Sequence, residues 1–271
     1  MSDEVESIEE VDSLPAYIAG VLEIKRRWEG TYGADDLWFR GVCDASFKLL
    51  PGAYWRQKCD ENSLFLSFKS MVPSYINREP LDNWEWYYLM QHYGLPTRLL
   101  DWTESALVAL YFAVSSADLN NIPCVWVLMP GHLNRLTHKH DQPYVLMPDG
   151  PDSATWLPPI CGRGKKVHEL VGSENYKDNR YPLAIFPKRY NPRIVAQRGT
   201  FTVHGIEETP IEELLLRVSG ADPAPIAKVT LKAGTSASLR NDLRMLGIDR
   251  ISLFPEPASV ADELKEVYGV V

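Results

Sequence analysis

The sequence predicts an α+β fold with a mixed or antiparallel sheet flanked by helices, and three observations predict it. Apolar residues recur at helical spacing early in the chain, β-branched and aromatic runs concentrate later, and the two do not alternate as βαβ units would. Neither GxGxxG nor a P-loop occurs, so a doubly wound nucleotide fold has no support.

Residues 1–13 are acidic, with Asp3, Glu4, Glu6, Glu9, Glu10 and Asp12, and are expected to be flexible. A single domain is expected over 14–271. Tyr17, Val21, Ile24 and Trp28 are spaced four, three and four apart, a helical face, with Ser13 as N-cap and Pro15 in the first turn. "DLWFRGV" is short, aromatic and β-prone, a strand. "SLFLSFKSMVPSYI" reads as a helix, and "DNWEWYYLMQHYG" as another, capped at Asp82 and stopped near Gly94 and Pro96. "ESALVALYFAVSSA" aligns Ala106, Leu110 and Ala113 on one helical face, with Asp101 or Thr103 as its cap, and "PCVWVLM" is a buried strand. From 130 to 192 the pattern dissolves into Pro, Gly, Asp and Asn around one strand-like piece, "PLAIFP"; such segments are usually functional or mobile. "RIVAQRGTFTVHG" and "IAKVTLK" read as strands, and "TSASLRNDLRMLGI" and "SVADELKEVYG" as closing helices, the first ended by Gly247.

The 45% hydrophobic content over 271 residues is enough for a proper core. The net charge of −8 argues against a protein that wraps long nucleic acid, although six of its acidic residues crowd into the first twelve positions and leave room for a local basic cleft. The chain has no apolar run near the ~20 residues of a membrane helix, and its acidic start is unlike a signal peptide, so a cytoplasmic protein is expected. Cys43, Cys59, Cys124 and Cys161 form no CxxC pair, and His138 and His140, with His132 and Asp141 nearby, lack further ligands at zinc-like spacing; no metal is expected.

Three places concentrate chemistry. Arg40 stands between Phe39 and Gly41 on a strand, where an arginine points outwards, is paired at a cost, or binds an anion; the glycine lets a ligand or another backbone approach closely. "QHYGLPTRLLDWTESALVALYFA" packs His92, Tyr93, Arg98, Asp101, Trp102 and Thr103 ahead of a helix start, a place suited to a phosphate or a ribose hydroxyl. The bland alternative is that Asp101 pairs with Arg98, Thr103 caps and Trp102 fills the core. Gln197 is a polar amide on an alternating strand, bridging the sheet or serving a ligand.

Taken together, "WFRG", "QHYGLPTRLLDWTESALVALYFA", "RIVAQRGTFTVHG" and "LRNDLRMLGIDRISLFPEPASVADELK" resemble the FRG domain, a family named for Phe-Arg-Gly, over roughly residues 14 to 268. That family is known mainly as a domain of uncharacterised function. The chain also resembles ADP-ribosyltransferases, which carry an arginine-glycine on an early strand, a Ser-Thr-Ser strand leading into Ala-x-x-Phe-Ala, and a glutamate on a later strand. The matching positions are Arg40-Gly41, Asp101-Trp102-Thr103 leading to Ala109–Ala113, and Gln197.

That resemblance implies NAD as substrate and one ADP-ribose moved to a macromolecular acceptor, protein, RNA or DNA. Arg40 would bind the pyrophosphate or nicotinamide ribose, with Gly41, His92 and Arg98 beside it. Asp101 and Thr103 would hold ribose hydroxyls, and Tyr93 or Trp102 would stack on nicotinamide. Gln197 replaces the transferase carboxylate with a neutral amide, which argues against poly-chain synthesis and leaves Asp101 as the substitute. Two rivals stand: a non-catalytic module binding NAD, ADP-ribose or a nucleic-acid end, and a metal-independent nuclease using His92, Arg98 and Asp101, with Trp84, Trp86 and Trp102 stacking on bases. A toxin or phage-defence setting would suit such a domain.

Overall fold

In a computed structural model the described residues are 5–33, 36–76, 81–117, 120–138, 143–148, 151–158, 160–163, 179–189, 191–218 and 223–270. Seven strands form one mixed sheet: β1 (Glu6–Val11), β2 (Trp38–Val42), β3 (Leu99–Thr103), β4 (Cys124–Leu128), β5 (Leu183–Ile185), β6 (Gly199–Val203) and β7 (Ile226–Leu231), in the order β1-β7-β4-β2-β3-β6-β5. Among the described strands β1 and β7 pair in parallel and the other strand pairs are antiparallel, with one isolated parallel bridge between Leu146 and Ile185.

The sheet is unevenly joined. β2 pairs with β4 along its whole length and β3 with β6 along its whole length, but β2 and β3 are in register only at Phe39 opposite Thr103. The strands splay there, dividing the sheet into β1-β7-β4-β2 and β3-β6-β5. Side chains alternate across a strand, so Phe39, Val125, Val127, Ala227 and Val229 share one face, packed under helices Leu14–Tyr32, Ala106–Ser115 and Ser236–Met245. On the same face of the other half, Leu99, Phe201, Val203 and Leu183 lie under helix Asn83–His92 and Phe65 of helix Glu61–Met71. Trp38, Trp126, Leu100 and Trp102 fill the opposite face with Leu133, Ile211 and Leu215. The helix-covered face therefore has two separate cores with a gap between them.

Local signals explain most elements. Asp82 and Glu85 form a reciprocal capping box at Asn83, and Gly94 adopts a positive φ of 78° just past that helix. Asp60 caps helix Glu61–Met71 by accepting from the Ser63 amide. The Tyr17 hydroxyl donates to the Ala106 carbonyl at 2.8 Å, tying the first helix to the start of the central one.

Four expectations are corrected. Glu6–Val11 is an edge strand rather than a flexible lead: Ile8 and Val11 reach the core, but a bulge with Glu10 at φ 55° breaks the alternation that would have betrayed it. The cap of helix Ala106–Ser115 is Ser105, whose hydroxyl accepts from the Val108 amide; Asp101 and Thr103 belong to β3. Helices Pro130–His138 and Pro151–Ala154 interrupt the stretch expected to be irregular. "RIVAQRG" is not strand: Pro192–Ala196 is a short helix, Gln197 is its C-cap, and Arg198 turns the chain into β6 at φ 47°. Proline at the first helical position and Asn191, which accepts from the Arg193 amide, outweigh the β-branched residues.

No described helix is long and apolar enough to cross a membrane. All four cysteines are free. Among the described residues no group of three His, Cys, Asp or Glu could hold a metal ion; His140, Asp141 and the His138 side chain lie outside them.

Candidate functional site

Where β2 and β3 part, a cavity of about 420 Å³ opens between the two halves of the sheet. That size suits a small organic ligand. β2 and the loop after it contribute Phe39, Arg40, Gly41 and Phe47; helix Asn83–His92 contributes Gln91 and His92; β3 contributes Asp101, Trp102 and Thr103. Asn191, Arg193 and Gln197 come from helix Pro192–Ala196 and its caps, Thr200 from β6, and Phe112 from the central helix.

Arg40 spans the split. Its Nη1 donates to the Asp101 carbonyl at 2.6 Å, replacing a ladder bond the splayed strands cannot make, and lies 4.0 Å from Asp101 Oδ2. Burial lowers the Arg40 pKa while Asp101 works to raise it, and the guanidinium stays charged in either case. The Asp101 side chain is 63% exposed against 24% for Arg40, so its carboxylate is open for a ligand. Gln91 holds it in place, its Nε2 donating to Asp101 Oδ2 at 3.2 Å while its own carbonyl accepts from the Thr97 hydroxyl. No donor among the described residues reaches Asp101 Oδ1.

Gly41 has a structural job. A Cβ built on it would stand 1.8 Å from the Ala109 carbonyl oxygen and 2.6 Å from the Ala113 amide nitrogen. The close approach read from the sequence is thus that of the helix Ala106–Ser115 backbone.

Several other expected residues are used differently. His92 lines the cavity, and burial followed by the charge of Arg193 lowers its pKa, with Glu256 opposing, so it is neutral near pH 7. Thr103 donates its hydroxyl to the Gln197 carbonyl at 2.7 Å and accepts from the Ser105 amide at 3.0 Å, fixing the strand-to-helix turn. Gln197 lines the cavity from its helix C-cap, and its Nε2 donates to the Leu253 carbonyl at 3.1 Å, which leaves Oε1 as an acceptor. Trp102 borders the cavity but its indole is buried and donates to the Thr202 hydroxyl at 3.0 Å, so it is not a free stacking surface. Tyr93 is 60% exposed, lies beside Phe68, and is outside the lining.

Arg98 is the clearest displacement. It is fully buried and outside the cavity, its Nε donating to Glu61 Oε2 at 2.6 Å and its Nη atoms to the His204 and Trp156 carbonyls. Its backbone amide and the Tyr87 hydroxyl converge on Glu61 Oε1. Burial opposes the charge and Glu61 favours it, and the outcome is a pKa well above the ordinary arginine value. Arg98 is a core clamp joining helix Glu61–Met71 to β3, so His92, Arg98 and Asp101 do not assemble as an acid–base group. Trp84 and Trp86 are likewise buried and cannot stack on bases.

The sequence reading missed Arg193, Gln91 and Phe254. Arg193 stands in a cationic run, Lys188, Arg189, Arg193 and Arg198, whose local sequence does not distinguish the residue that lines the cavity from those that do not.

β2, the clamp, the central helix and Asp101 all fall in one stretch of chain. Residues 35–121 match the FRG domain. The match spans about a third of the chain, and the FRG segment supplies Arg40, Gln91, His92, Asp101 and Phe112, while Arg193 and Gln197 come from beyond it. The Phe-Arg-Gly motif has three separate tasks: Phe39 packs under the helices, Arg40 spans the split, and Gly41 admits the central helix. No curated protein and no solved structure matches the chain.

Proposed function

We propose that the cavity binds NAD and that the protein transfers a single ADP-ribose to a macromolecular acceptor. The observation that carries this reading is Arg40 at the parting of the half-sheets, with the exposed Asp101 carboxylate 4.0 Å away in a cavity of about 420 Å³. A cation with unspent donors suits the dinucleotide's phosphates. As the bond from nicotinamide to ribose C1′ breaks, the pair leaves with nicotinamide and positive charge develops on the ribose. A fixed carboxylate offsets that charge, and Asp101 is the carboxylate among the described lining residues. An acceptor oxygen or nitrogen then bonds to C1′, and neutral His92 is a lining group able to take its proton. Gln197, through Oε1, is an acceptor for a ribose hydroxyl.

A second reading, a module that binds NAD or ADP-ribose without chemistry, is favoured by one observation. Gln197, the position matched to the transferase glutamate, is a neutral amide at a helix C-cap rather than on a strand, and its Nε2 is tied to Leu253.

The test is nicotinamide release from NAD by purified protein, alone and with cell-extract protein, RNA or DNA, beside Arg40→Ala. Release that needs Arg40 and one acceptor class supports the transferase. NAD binding by wild type without release in any mixture supports the binding module instead. Neither binding nor release would sink both readings.

A further inference from the structure

The cavity has a second cation whose donors are uncommitted. Arg193, half-buried in the cavity lining, makes no side-chain hydrogen bond or ion pair among the described residues. Its guanidinium instead lies over the Phe254 ring, 4.6 Å from the centroid, and that ring is held edge-on by Phe112 at 6.0 Å and 80°. Stacking orients the planar fork without using an N–H group, so all five donors remain available. The neighbouring arginines differ: Arg189 is paired with Glu104, and Arg198 is exposed and lies 4.0 Å from the same carboxylate.

Charge along the wall fits the same purpose. Among the lining residues Arg40 and Arg193 are two cations and Asp101 the one carboxylate; His92 is neutral near pH 7, and Glu256, outside the lining, opposes the charge of Arg193 at His92. A chain with a net charge of −8 therefore keeps a locally positive cavity. One phosphate needs one such cation, whereas two linked phosphates carry enough charge and oxygens to use both.

We infer that Arg193 is a second anion-binding residue, forming with Arg40 a two-arginine subsite for a diphosphate. The inference rests on the cavity of the proposed function, and makes the ligand class a diphosphate-linked nucleotide rather than a nucleoside or nucleoside monophosphate. Phe254 is a positioning residue, since it would act by holding Arg193.

The experiment measures binding by calorimetry and by the shift in melting temperature, using inorganic pyrophosphate, ADP, AMP and NAD with wild type, Arg193→Gln and Arg193→Lys. Pyrophosphate and ADP are expected to bind wild type at least about tenfold more tightly than AMP, and Arg193→Gln to erase that preference, as loss of a charge-assisted fork would. Arg193→Lys keeps the charge without the fork and is expected to fall between them. The unliganded melting temperature of each variant reports whether it folds; because the lysine variant carries the same test, a misfolded glutamine variant does not remove it. Equal affinity of wild type and both variants for pyrophosphate would overturn the inference, as would no binding of pyrophosphate or ADP to wild type. Arg193-dependent binding of pyrophosphate with no binding of NAD would keep the subsite and overturn the NAD reading alone.

Discussion

Replacing Gly41 with alanine tests what the glycine after Arg40 is for. The new Cβ would sit 1.8 Å from the Ala109 carbonyl oxygen, against a closest approach of 3.0 Å in real structures, so helix Ala106–Ser115 would have to retreat by about 1.2 Å. Both nearest atoms are backbone, which no rotamer change can clear, and Ala109, Leu110 and Ala113 on that helix are fully buried. Overpacking a core costs about 1–3 kcal/mol where side chains can adjust, and a backbone clash lies at or above the upper end, about 3 kcal/mol or more. At roughly 2–4 °C per kcal/mol for a domain of this size, the melting temperature should fall by about 6–12 °C or more. Thermal unfolding followed by circular dichroism gives the number. If Gly41 were there to admit a ligand, alanine would weaken binding and leave stability alone; a melting temperature within about 2 °C of wild type would refute the packing argument.

Glu61→Gln keeps the size of the side chain but leaves the buried Arg98 guanidinium without its paired carboxylate, and should cost about 3–5 kcal/mol in urea unfolding. A loss below about 1 kcal/mol would show that the carbonyls of His204 and Trp156 suffice. His204 is fully buried, and burial followed by the charge of Arg98 pushes its pKa down to about 3. The unfolded chain takes up that proton near its ordinary value of about 6.5, so the contribution is complete above about 6.5 and is lost as pH falls towards 3, by about 1.4 kcal/mol per unit. His204→Phe should flatten the acid limb of the stability curve by one proton, and an unchanged slope would contradict the assignment.

Much of the fold is legible in the sequence because its signals are local. Asp82 with Glu85, Gly94 and Gly247 act within a few residues of themselves, and "CVWVL" is apolar enough to be buried in any context. Edge strand β1 escaped because a bulge shifts its register, and the Pro192–Ala196 helix because proline and Asn191 override the strand-like pattern of "RIVA". The crowding of His92, Arg98, Asp101 and Thr103 was visible, but not their division of labour. Successive strand residues point to opposite faces, and Arg98 meets Glu61 from 37 residues away, a partner no spacing announces. The same holds for the cavity itself. The sequence by itself determined that Arg40 sits on a strand before a glycine and that Asp101 precedes a helix. Only the tertiary structure decided that β2 and β3 part after one shared position, that Arg40 spans the gap, and that Arg193, stacked on Phe254, joins the cavity lining from outside the FRG segment, because those contacts depend on strand order and on segments far apart in the chain meeting at one place.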